Sequence, residues 1–295
     1  MRPFFENNVL QQQPFKPMII VVDTTKAGSA SNTFVLPIIK DTTETVKIYW
    51  GDGTNSTGVN GNNTHVYAAS GIYTVKIESR LFGGIYFNNL GDKAKITKIA
   101  NYGQGVSRSN IGSFYGCSSL LSIDIGNIVS NGAATSNQYR GCTALTTVPL
   151  LNLSSVTNAS YMFTGCTALT TVPLFDLSNL INATGMFYQC SNITTVPLFN
   201  LSKVTNASYM FTGCTALTTV PLFNLSKVTN ASYMFLGVTL TTQSYSDFLI
   251  NLATLPLKSG VSFHGGNSKY NPAAAIARAY LISNFGWTIT DGGAA

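Results

Sequence analysis

The sequence contains little charge, since aspartate, glutamate, lysine and arginine make up 9% of its 295 residues. This composition excludes a highly charged disordered chain, and the many Gly, Asn, Ser and Thr residues favour a turn-rich β structure. The formal net charge of +6 comes without any basic run, because the lysines and arginines are dispersed among acids or isolated. We therefore expect a solvated surface and no nucleic-acid partner.

Long apolar runs are also missing. The apolar run Met18–Val22 has the length of a strand, and no apolar segment with a small-residue cleavage site precedes it. A bilayer-spanning helix needs about 20 apolar residues. We expect no membrane insertion and no ordinary secretory leader.

Residue types that carry catalysis are scarce in the middle of the chain. The charged residues between positions 109 and 246 are Asp124, Arg140, Asp176, Lys203 and Lys227. The sequence has two histidines and contains no HExxH, GxSxG or complete phosphate-binding loop. We therefore expect no catalytic residue, no metal site and no cofactor, and an enzyme acting on glycans through an unrecognised site is the least favoured alternative.

The cysteines indicate a repeat. They are separated by 25, 24, 24 and 24 residues, at Cys117, Cys142, Cys166, Cys190 and Cys214. Zinc sites use closely spaced pairs, whereas even spacing indicates one structural position that recurs. A nucleophile would need surroundings that differ from those of the other cysteines, so we interpret all five as buried, reduced, stacked thiols.

Further columns appear when the chain is aligned on these cysteines. They are Leu145, Leu169, Ile193 and Leu217; Val148, Val172, Val196 and Val220; Pro149, Pro173, Pro197 and Pro221; Leu153, Leu177, Leu201 and Leu225; Asn158, Asn182, Asn206 and Asn230; Met162, Met186, Met210 and Met234; and Phe163, Phe187, Phe211 and Phe235. A fixed period with such columns predicts a solenoid, whose turns bury their apolar faces against one another. The asparagines satisfy the N-glycosylation pattern, but we interpret them as an internal column that bonds backbone groups at a turn.

These columns resemble the BspA-like leucine-rich repeats over roughly residues 93–238. The resemblance implies a right-handed stack with one short strand per turn and a role in surface adhesion or recognition. Two departures lie in the first turns: Ile96 has no cysteine before it, and residues 126–142 replace the Leu-Ser-x-Val-Thr-Asn phrase. We interpret this stretch as a capping zone.

Before the repeats, short runs of alternating apolar and polar residues predict an antiparallel β-sandwich between about Phe15 and Asn88. A group of motif residues within it resembles the polycystic-kidney-disease (PKD) domain: Gly51, Asp52, Gly53, His65, Tyr67, Gly71, Tyr73 and Val75. The resemblance implies an immunoglobulin-like spacer or adhesion module without activity of its own. Asp52 is a possible calcium ligand, but we favour ordinary hairpin-turn chemistry for Gly-Asp-Gly.

After the repeats, residues 241–295 predict a small α/β cap. A helix is expected after Ser246, and a second is expected to start at Pro272 behind an Asn271 N-cap and to stop at Gly286. The final run WTIT predicts a strand. An element of this kind is expected to cover the exposed end of a solenoid.

Two outward-facing columns form the candidate recognition surface. They contain Thr171, Thr195 and Thr219, and Tyr161, Tyr209 and Tyr233, with Lys203 and Lys227 expected nearby. Repeated tyrosines and threonines suit weak, many-point contact with glycans or protein. The competing interpretation is that the tyrosines fill gaps between turns. Ice binding is disfavoured because adjacent threonines do not supply the alternate outward pairs that ice-binding surfaces use.

The sequence therefore predicts a mainly β protein: an N-terminal docking arm (1–16), a PKD-like immunoglobulin-like sandwich (17–90), a leucine-rich-repeat solenoid (91–240) and an α/β cap (241–295). Adhesion modules without a recognised leader lead us to expect a bacteriophage virion protein, either a fibre or tail adhesin or a capsid decoration protein. Its expected partners are other virion proteins, contacted by the arm, a host-surface glycan or protein, and further copies of itself. The alternative is a bacterial cell-surface adhesin.

Overall fold

The computed structural model describes residues 16–39, 45–79, 83–102, 113–124 and 134–295. Within these residues the chain is mainly β, with two α-helices close to its C-terminus. The predicted docking arm, apart from Lys16, and residues 126–133 of the predicted capping zone lie outside the described part of the chain.

The strands of the first half form two sheets. They are β1 (Met18–Asp23), β2 (Thr33–Ile39), β3 (Val46–Tyr49), β4 (Asn55–Gly58), β5 (Gly61–Val66), β6 (Ile72–Glu78), β7 (Gly84–Ile85), β8 (Ile96–Tyr102) and β9 (Ser122–Ile123). One sheet has the order β4-β3-β6-β1-β8-β9 and the other the order β5-β2-β7. Fully buried residues alternate with partly exposed ones along β1 and β2, so each strand gives one face to the core.

The two sheets contact each other through their buried faces. A Cβ placed on Gly58 of β4 would lie 3.1 Å from Ile38 Cδ1 of β2, in the other sheet. Strand β8 pairs antiparallel with β1 and parallel with β9, so the larger sheet continues into the first turns of the repeat. There Ile99 pairs with Ile123.

Strand β4 was not predicted. The sequence favours hairpin-turn chemistry at Gly51–Gly53 and no strand directly after it, whereas Asn55–Gly58 forms β4, which pairs antiparallel with β3. The hairpin closes at Asp52, whose Oδ1 accepts hydrogen bonds from Thr54 N at 3.0 Å and from Thr54 Oγ1 at 2.6 Å. The turn interpretation of Asp52 is thereby confirmed, and the tight turn is what brings the polar residues of β4 into pairing distance.

A buried ion pair fastens the loop after β1 to the segment before β8. Lys95 Nζ lies 3.7 Å from Asp92 Oδ2, and both side chains are almost fully buried. Lys95 Nζ also donates to the carbonyl oxygens of Ser29 and Thr33, at 3.1 and 2.6 Å. Asp92 accepts from the backbone N–H groups of Ser29 and Val35, at 2.6 and 2.7 Å. Such a pair is held by satisfying nearly every donor and acceptor around it.

Within residues 113–124 and 134–241, successive turns of 24 or 25 residues are bonded to one another. We call residues 113–124 and 134–241 the repeat stack. Single parallel bridges link the asparagine column from turn to turn, from Ala134 to Asn158 and then through Asn182, Asn206 and Asn230. Backbone N–H groups of one turn donate to carbonyls of the next, as in Ala159 N to Asn182 O at 3.0 Å. Each turn is therefore bonded to its neighbours.

The expectation of one short strand per turn is wrong for residues 134–241, where each turn contributes isolated bridges instead. Proline columns such as Pro173 remove a backbone donor from the extended run. At the asparagine column, the side-chain oxygen of Asn158 accepts a hydrogen bond from Ser160 N at 3.0 Å, and the chain turns immediately after the bridge. The same bond recurs at Asn182, Asn206 and Asn230, which confirms that this column bonds backbone groups at a turn.

Aromatic rings and thiols fill the interior of the repeat stack. The rings of Phe163, Phe187, Phe211 and Phe235 form a file with centroids 5.6, 5.7 and 5.5 Å apart and nearly parallel planes. The five cysteines are free and buried, and the thiol of Cys190 donates to Phe163 O at 3.0 Å. Burial raises the pKa of the Cys166 and Cys214 thiols to about 12. The prediction of buried, reduced, stacked thiols is confirmed.

The C-terminal cap continues the stack with different elements. Helix α1 spans Thr242–Ala253, β10 spans Ser262–His264, α2 spans Pro272–Phe285 and β11 spans Thr288–Thr290. Strand β10 receives the hydrogen bond that a further turn would receive, since Ala231 N donates to Ser262 O at 3.1 Å.

The sequence predicts both ends of α2 correctly and the start of α1 incorrectly. The Asn271 N-cap of α2 and its Gly286 stop, at a φ of 64°, are confirmed. The predicted start of α1 after Ser246 is wrong, because Thr241 caps the helix by accepting from Ser244 N. Helix α1 therefore begins one turn earlier than expected. Neither α-helix in the described residues has the length and apolar character required to cross a bilayer.

Candidate recognition site

Three tyrosines occupy one position of the turn, five residues before the cysteine column. Their backbone is left-handed, with φ values of 57° at Tyr161, 59° at Tyr209 and 60° at Tyr233. Two other turns place Asn137 and Gly185 here, with φ values of 57° and 55°. A left-handed backbone costs a residue with a Cβ about 1–2 kcal/mol, and asparagine and glycine tolerate it best. The backbone therefore does not select tyrosine at this position.

The three tyrosines, which we call the tyrosine ridge, pack on neighbouring turns and remain partly exposed. Tyr209 and Tyr233 stack with ring centroids 4.9 Å apart, and Tyr233 in turn lies 6.2 Å from His264 of the cap. Tyr233 is 45% exposed, and Tyr161 and Tyr209 are half-buried. The rings contact neighbouring turns as the gap-filling interpretation requires, but they also present a surface to solvent.

The break in the ridge at Gly185 shapes a cleft. A Cβ on Gly185 would lie 2.5 Å from Tyr161 Cε1, so the Tyr161 ring lies over the glycine. Beyond this gap Tyr188 and Tyr209 meet edge to face, with centroids 6.4 Å apart. A cavity of about 440 Å³ lies among five residues, which define the cleft: Arg140, Tyr161, Thr164, Tyr188 and Tyr209.

A second column, two residues before the cysteines, forms the floor and walls of the cleft. Thr164 is buried, and its hydroxyl donates to Gly185 O at 2.8 Å. Thr212 makes the equivalent bond to Tyr233 O. The turns on either side of Thr164 carry Arg140 and Tyr188 in this column, and both are partly exposed. Alternation of a short, inward-bonded threonine with long side chains therefore leaves a depression.

Arg140 supplies the charge of the cleft. Its guanidinium lies 5.1 Å from the Tyr115 ring centroid and 5.5 Å from that of Tyr161, and Nη1 donates to Asn137 Oδ1 at 3.1 Å. Within the described residues, no carboxylate forms an ion pair with it. The cation is held in place by rings and an amide, and its charge is not neutralised by a described acid.

The other predicted site residues lie elsewhere on the surface. Lys203 and Lys227 are exposed, and Lys203 Nζ donates to Asn179 Oδ1 at 2.7 Å. The threonines Thr171, Thr195 and Thr219 are exposed as predicted, but Thr219 lines a different cavity, of about 590 Å³, beside α1. The five residues that line the cleft include neither a lysine nor any of these threonines.

The sequence interpretation missed Arg140 and Tyr188 as site residues. Reading the column two residues before each cysteine gives Tyr115, Arg140, Thr164, Tyr188 and Thr212, and this alternation is the signal that would have identified them. Columns that are shared between turns mark the common interior, whereas this column changes from turn to turn. A binding depression depends on what differs between them.

A separate apolar feature, the leucine stripe, occupies another position of the turn. It consists of Leu150, Leu174, Leu198 and Leu222, which are 60%, 60%, 59% and 49% exposed. These leucines follow the proline column directly, where the extended run brings each side chain out to solvent. A contiguous exposed apolar patch of this kind is unusual on an isolated protein and is typical of a contact surface.

In the part of the chain that the structure describes, no three His, Cys, Asp or Glu residues lie together as a potential metal site.

Comparison with protein families finds a profile, described as "Mycoplasma protein of unknown function, DUF285", which matches residues 133–248. The match covers most of the repeat stack and the start of α1, which is less than half of the chain. Comparison with curated proteins and with solved structures gives no match.

Proposed function

We propose that this chain is a non-enzymatic structural protein of a bacteriophage virion, either a fibre or tail adhesin or a capsid decoration protein, that attaches the particle to host or surface glycans or proteins. The observation that carries the proposal is the tyrosine ridge, in which three partly exposed rings stand on left-handed backbone. Residues held in such conformations concentrate at functional sites. Tyrosine provides contact area at little entropic cost, so it suits recognition.

The finer architecture belongs to the same proposal. We interpret the two sheets of the first half as a PKD-like, immunoglobulin-like sandwich, and the repeat stack as a BspA-like leucine-rich-repeat solenoid closed by the α/β cap. Supporting this are the contact between the sheets at Gly58 and the asparagine bridges at 24-residue intervals. The sandwich acts as a spacer and the solenoid as the display surface.

We further propose that several copies act together in an assembly. Residues 1–16 would dock on other virion proteins, and the leucine stripe offers an apolar surface that a second protein surface can cover. Weak contacts made by many copies add to firm attachment, because each bound copy raises the effective concentration of the next.

The first test is cryo-electron microscopy of the native assembly that contains the chain. Residues 1–16 packed against capsid or tail subunits, with the repeat stack pointing outward, support the virion proposal and give the symmetry of the contact. A chain found on a bacterial envelope instead would support the alternative, a bacterial cell-surface adhesin with BspA-like repeats.

A second test addresses attachment itself. The purified chain should compete with particles for host cells, and a variant with Tyr161→Asn, Tyr209→Asn and Tyr233→Asn should compete poorly. Asparagine occupies this position in the turn of Asn137 with the same left-handed backbone, so the variant is expected to fold. Equal competition by both proteins would exclude the tyrosine ridge as the attachment surface, and turnover of a host glycan would revive the enzyme alternative.

A further inference from the structure

We propose that the cleft binds one acidic unit of a surface polysaccharide, with Arg140 pairing its anionic group and the tyrosine rings packing on the sugar. This inference rests on the proposed function as an attachment protein and names the chemistry of its ligand. It concerns a single place on the repeat stack, whereas the tyrosine ridge extends over several turns.

The dimensions and lining of the cleft suit a sugar. Its volume of about 440 Å³ falls within the ~300–1,000 Å³ of typical small-molecule pockets. Three of its five lining residues are tyrosines, which combine an apolar ring with a hydroxyl that donates or accepts hydrogen bonds. In the described residues no hydrogen bond occupies the hydroxyls of Tyr161, Tyr188 or Tyr209. A sugar ring presents the matching combination of C–H faces and hydroxyl edges.

The charge of the cleft selects an acidic sugar. Arg140 is the one charged residue among those lining the cleft. The nearest acid in the sequence of the repeat stack, Asp124, is paired with Lys98, whose Nζ lies 2.6 Å from Asp124 Oδ2. The next acid, Asp176, accepts a hydrogen bond within its own turn from Ser178 N at 3.0 Å. A guanidinium can bind a carboxylate, sulfate or phosphate through two parallel N–H donors. Its pairing with an anion would not compete with a described salt bridge.

The repeat register shows that the cleft is a local departure from the common turn. Threonine is the residue that bonds inward in this column, at Thr164 and Thr212, and Gly185 interrupts the ridge at the same level. Thr164 and Gly185 meet at the cleft, where the Thr164 hydroxyl donates to Gly185 O, whereas Thr212 does not line it. We therefore expect one cleft of this kind per chain.

A protein partner is the less favoured occupant of the cleft. The cleft has a volume of about 440 Å³ and includes the polar side chains of Arg140 and Thr164, whereas the leucine stripe supplies the broad apolar area that protein contacts use. The two surfaces occupy different positions of the turn. A glycan in the cleft and a protein on the stripe are compatible with each other.

The experiment is calorimetric titration of the full chain with acidic oligomers and one neutral counterpart. The probes are a galacturonate hexamer with its methyl ester, an α2,8-linked sialate hexamer, and a phosphate-bridged glycerol oligomer. The first three differ in where the carboxylate sits and whether it is charged, and the last replaces carboxylate by phosphate. Binding of one acidic class above the others identifies the source of the anionic group.

Two matched variants locate the site. Arg140→Thr introduces the residue that the same column has at Thr164, and Lys203→Ser introduces the residue that its own column has at Ser155. Both remove one positive charge from the repeat stack. We expect Arg140→Thr to weaken binding of the acidic probe about tenfold or more, as for loss of a charged hydrogen-bonded pair, and Lys203→Ser to change it less than about twofold. Tyr188→Thr, which likewise introduces the threonine that this column has at Thr164, should also weaken binding.

The inference is overturned if no acidic probe binds at about 1 mM, the weak end of specific recognition, if the methyl ester binds as well as the acid, or if Arg140→Thr and Lys203→Ser behave alike. Far-ultraviolet circular dichroism establishes that each variant is folded. If the wild-type chain attaches to cells and Arg140→Thr does not change this attachment, the cleft is not the binding site, but the proposed function stands. Absence of any attachment would instead remove the proposed function.

Discussion

The buried pair of Lys95 and Asp92 gives the sharpest test of how the first half of the chain is held together. Replacing Lys95 by methionine keeps an unbranched side chain that is one atom shorter and removes its charge. The Asp92 carboxylate then remains buried without its cation, and the carbonyls of Ser29 and Thr33 lose their donor. Breaking one partner of a buried pair costs about 3–5 kcal/mol, and we expect a loss of that size in the free energy of unfolding.

Urea denaturation measures this loss. Trp50 is buried in the first half and Trp287 in the cap, so a Trp287→Phe background makes Trp50 fluorescence report on the two sheets. The control is Lys76→Met, because Lys76 Nζ lies 2.6 Å from Glu78 Oε1 in an exposed pair. Exposed pairs contribute about 0–1 kcal/mol. A double variant, Asp92→Asn with Lys95→Met, should recover part of the loss because no charge remains buried.

The reasoning is refuted if Lys95→Met and Lys76→Met lower the free energy of unfolding by similar amounts. Such a result would mean that the loop after β1 and the segment before β8 rearrange to admit water around Asp92. Hydrogen exchange of the Ser29 and Val35 amides, which donate to Asp92, would then be fast in the variant. Protected amides together with a large loss would support the account.

Three further predictions concern the repeat stack and the hairpin. Gly185→Ala should lower the melting temperature more than Gly91→Ala. Both glycines have a φ of 55°, but only a Cβ at Gly185 would meet a ring, that of Tyr161. Equal decreases in melting temperature would contradict the packing of that ring. Burial raises the pKa of Asp52, but hydrogen bonds from Thr54 and His65 outweigh it and lower the pKa to about 2. Ionised Asp52 therefore stabilises the fold above pH ~4, near its ordinary pKa, and this contribution should fade as the pH falls towards 2; Asp52→Asn should flatten acid unfolding over that interval. Iodoacetamide at pH ~8 should leave the five cysteines unmodified in the folded chain, since burial raises their pKa values, and mass spectrometry should find all five alkylated in denaturant.

Much of the framework follows from the sequence because periodic burial leaves a periodic pattern. The cysteine and phenylalanine columns identified the stacked interior, and Asn271, Pro272 and Gly286 marked the ends of α2 through local capping chemistry. These features depend on residues close in sequence or repeated at a fixed interval. They require no knowledge of how distant parts of the chain meet.

The features that escaped prediction depend on contacts or on exposure. Strand β4 is polar and forms because the tight turn at Asp52 aligns it with β3. The leucine stripe has an apolar sequence signature like that of a buried column, and only the direction of each side chain separates the two. The cleft arises where Arg140 and Tyr188 flank a threonine that turns inward. A column pattern shows where a residue lies along the turn. It does not show whether the neighbouring turns bury its side chain or leave it exposed.

The 24-residue spacing of the turns after Cys142 has a genetic consequence. Residues 200–211 and 224–235 have the same sequence, NLSKVTNASYMF, so the gene carries two coding stretches for one phrase a whole number of codons apart. Unequal crossing-over between such stretches deletes or duplicates one complete turn and preserves the reading frame. The sheets at one end and the cap at the other are inherited unchanged. A lineage can thereby lengthen or shorten the display surface in single recombination events, while point substitutions at the cleft alter what it binds.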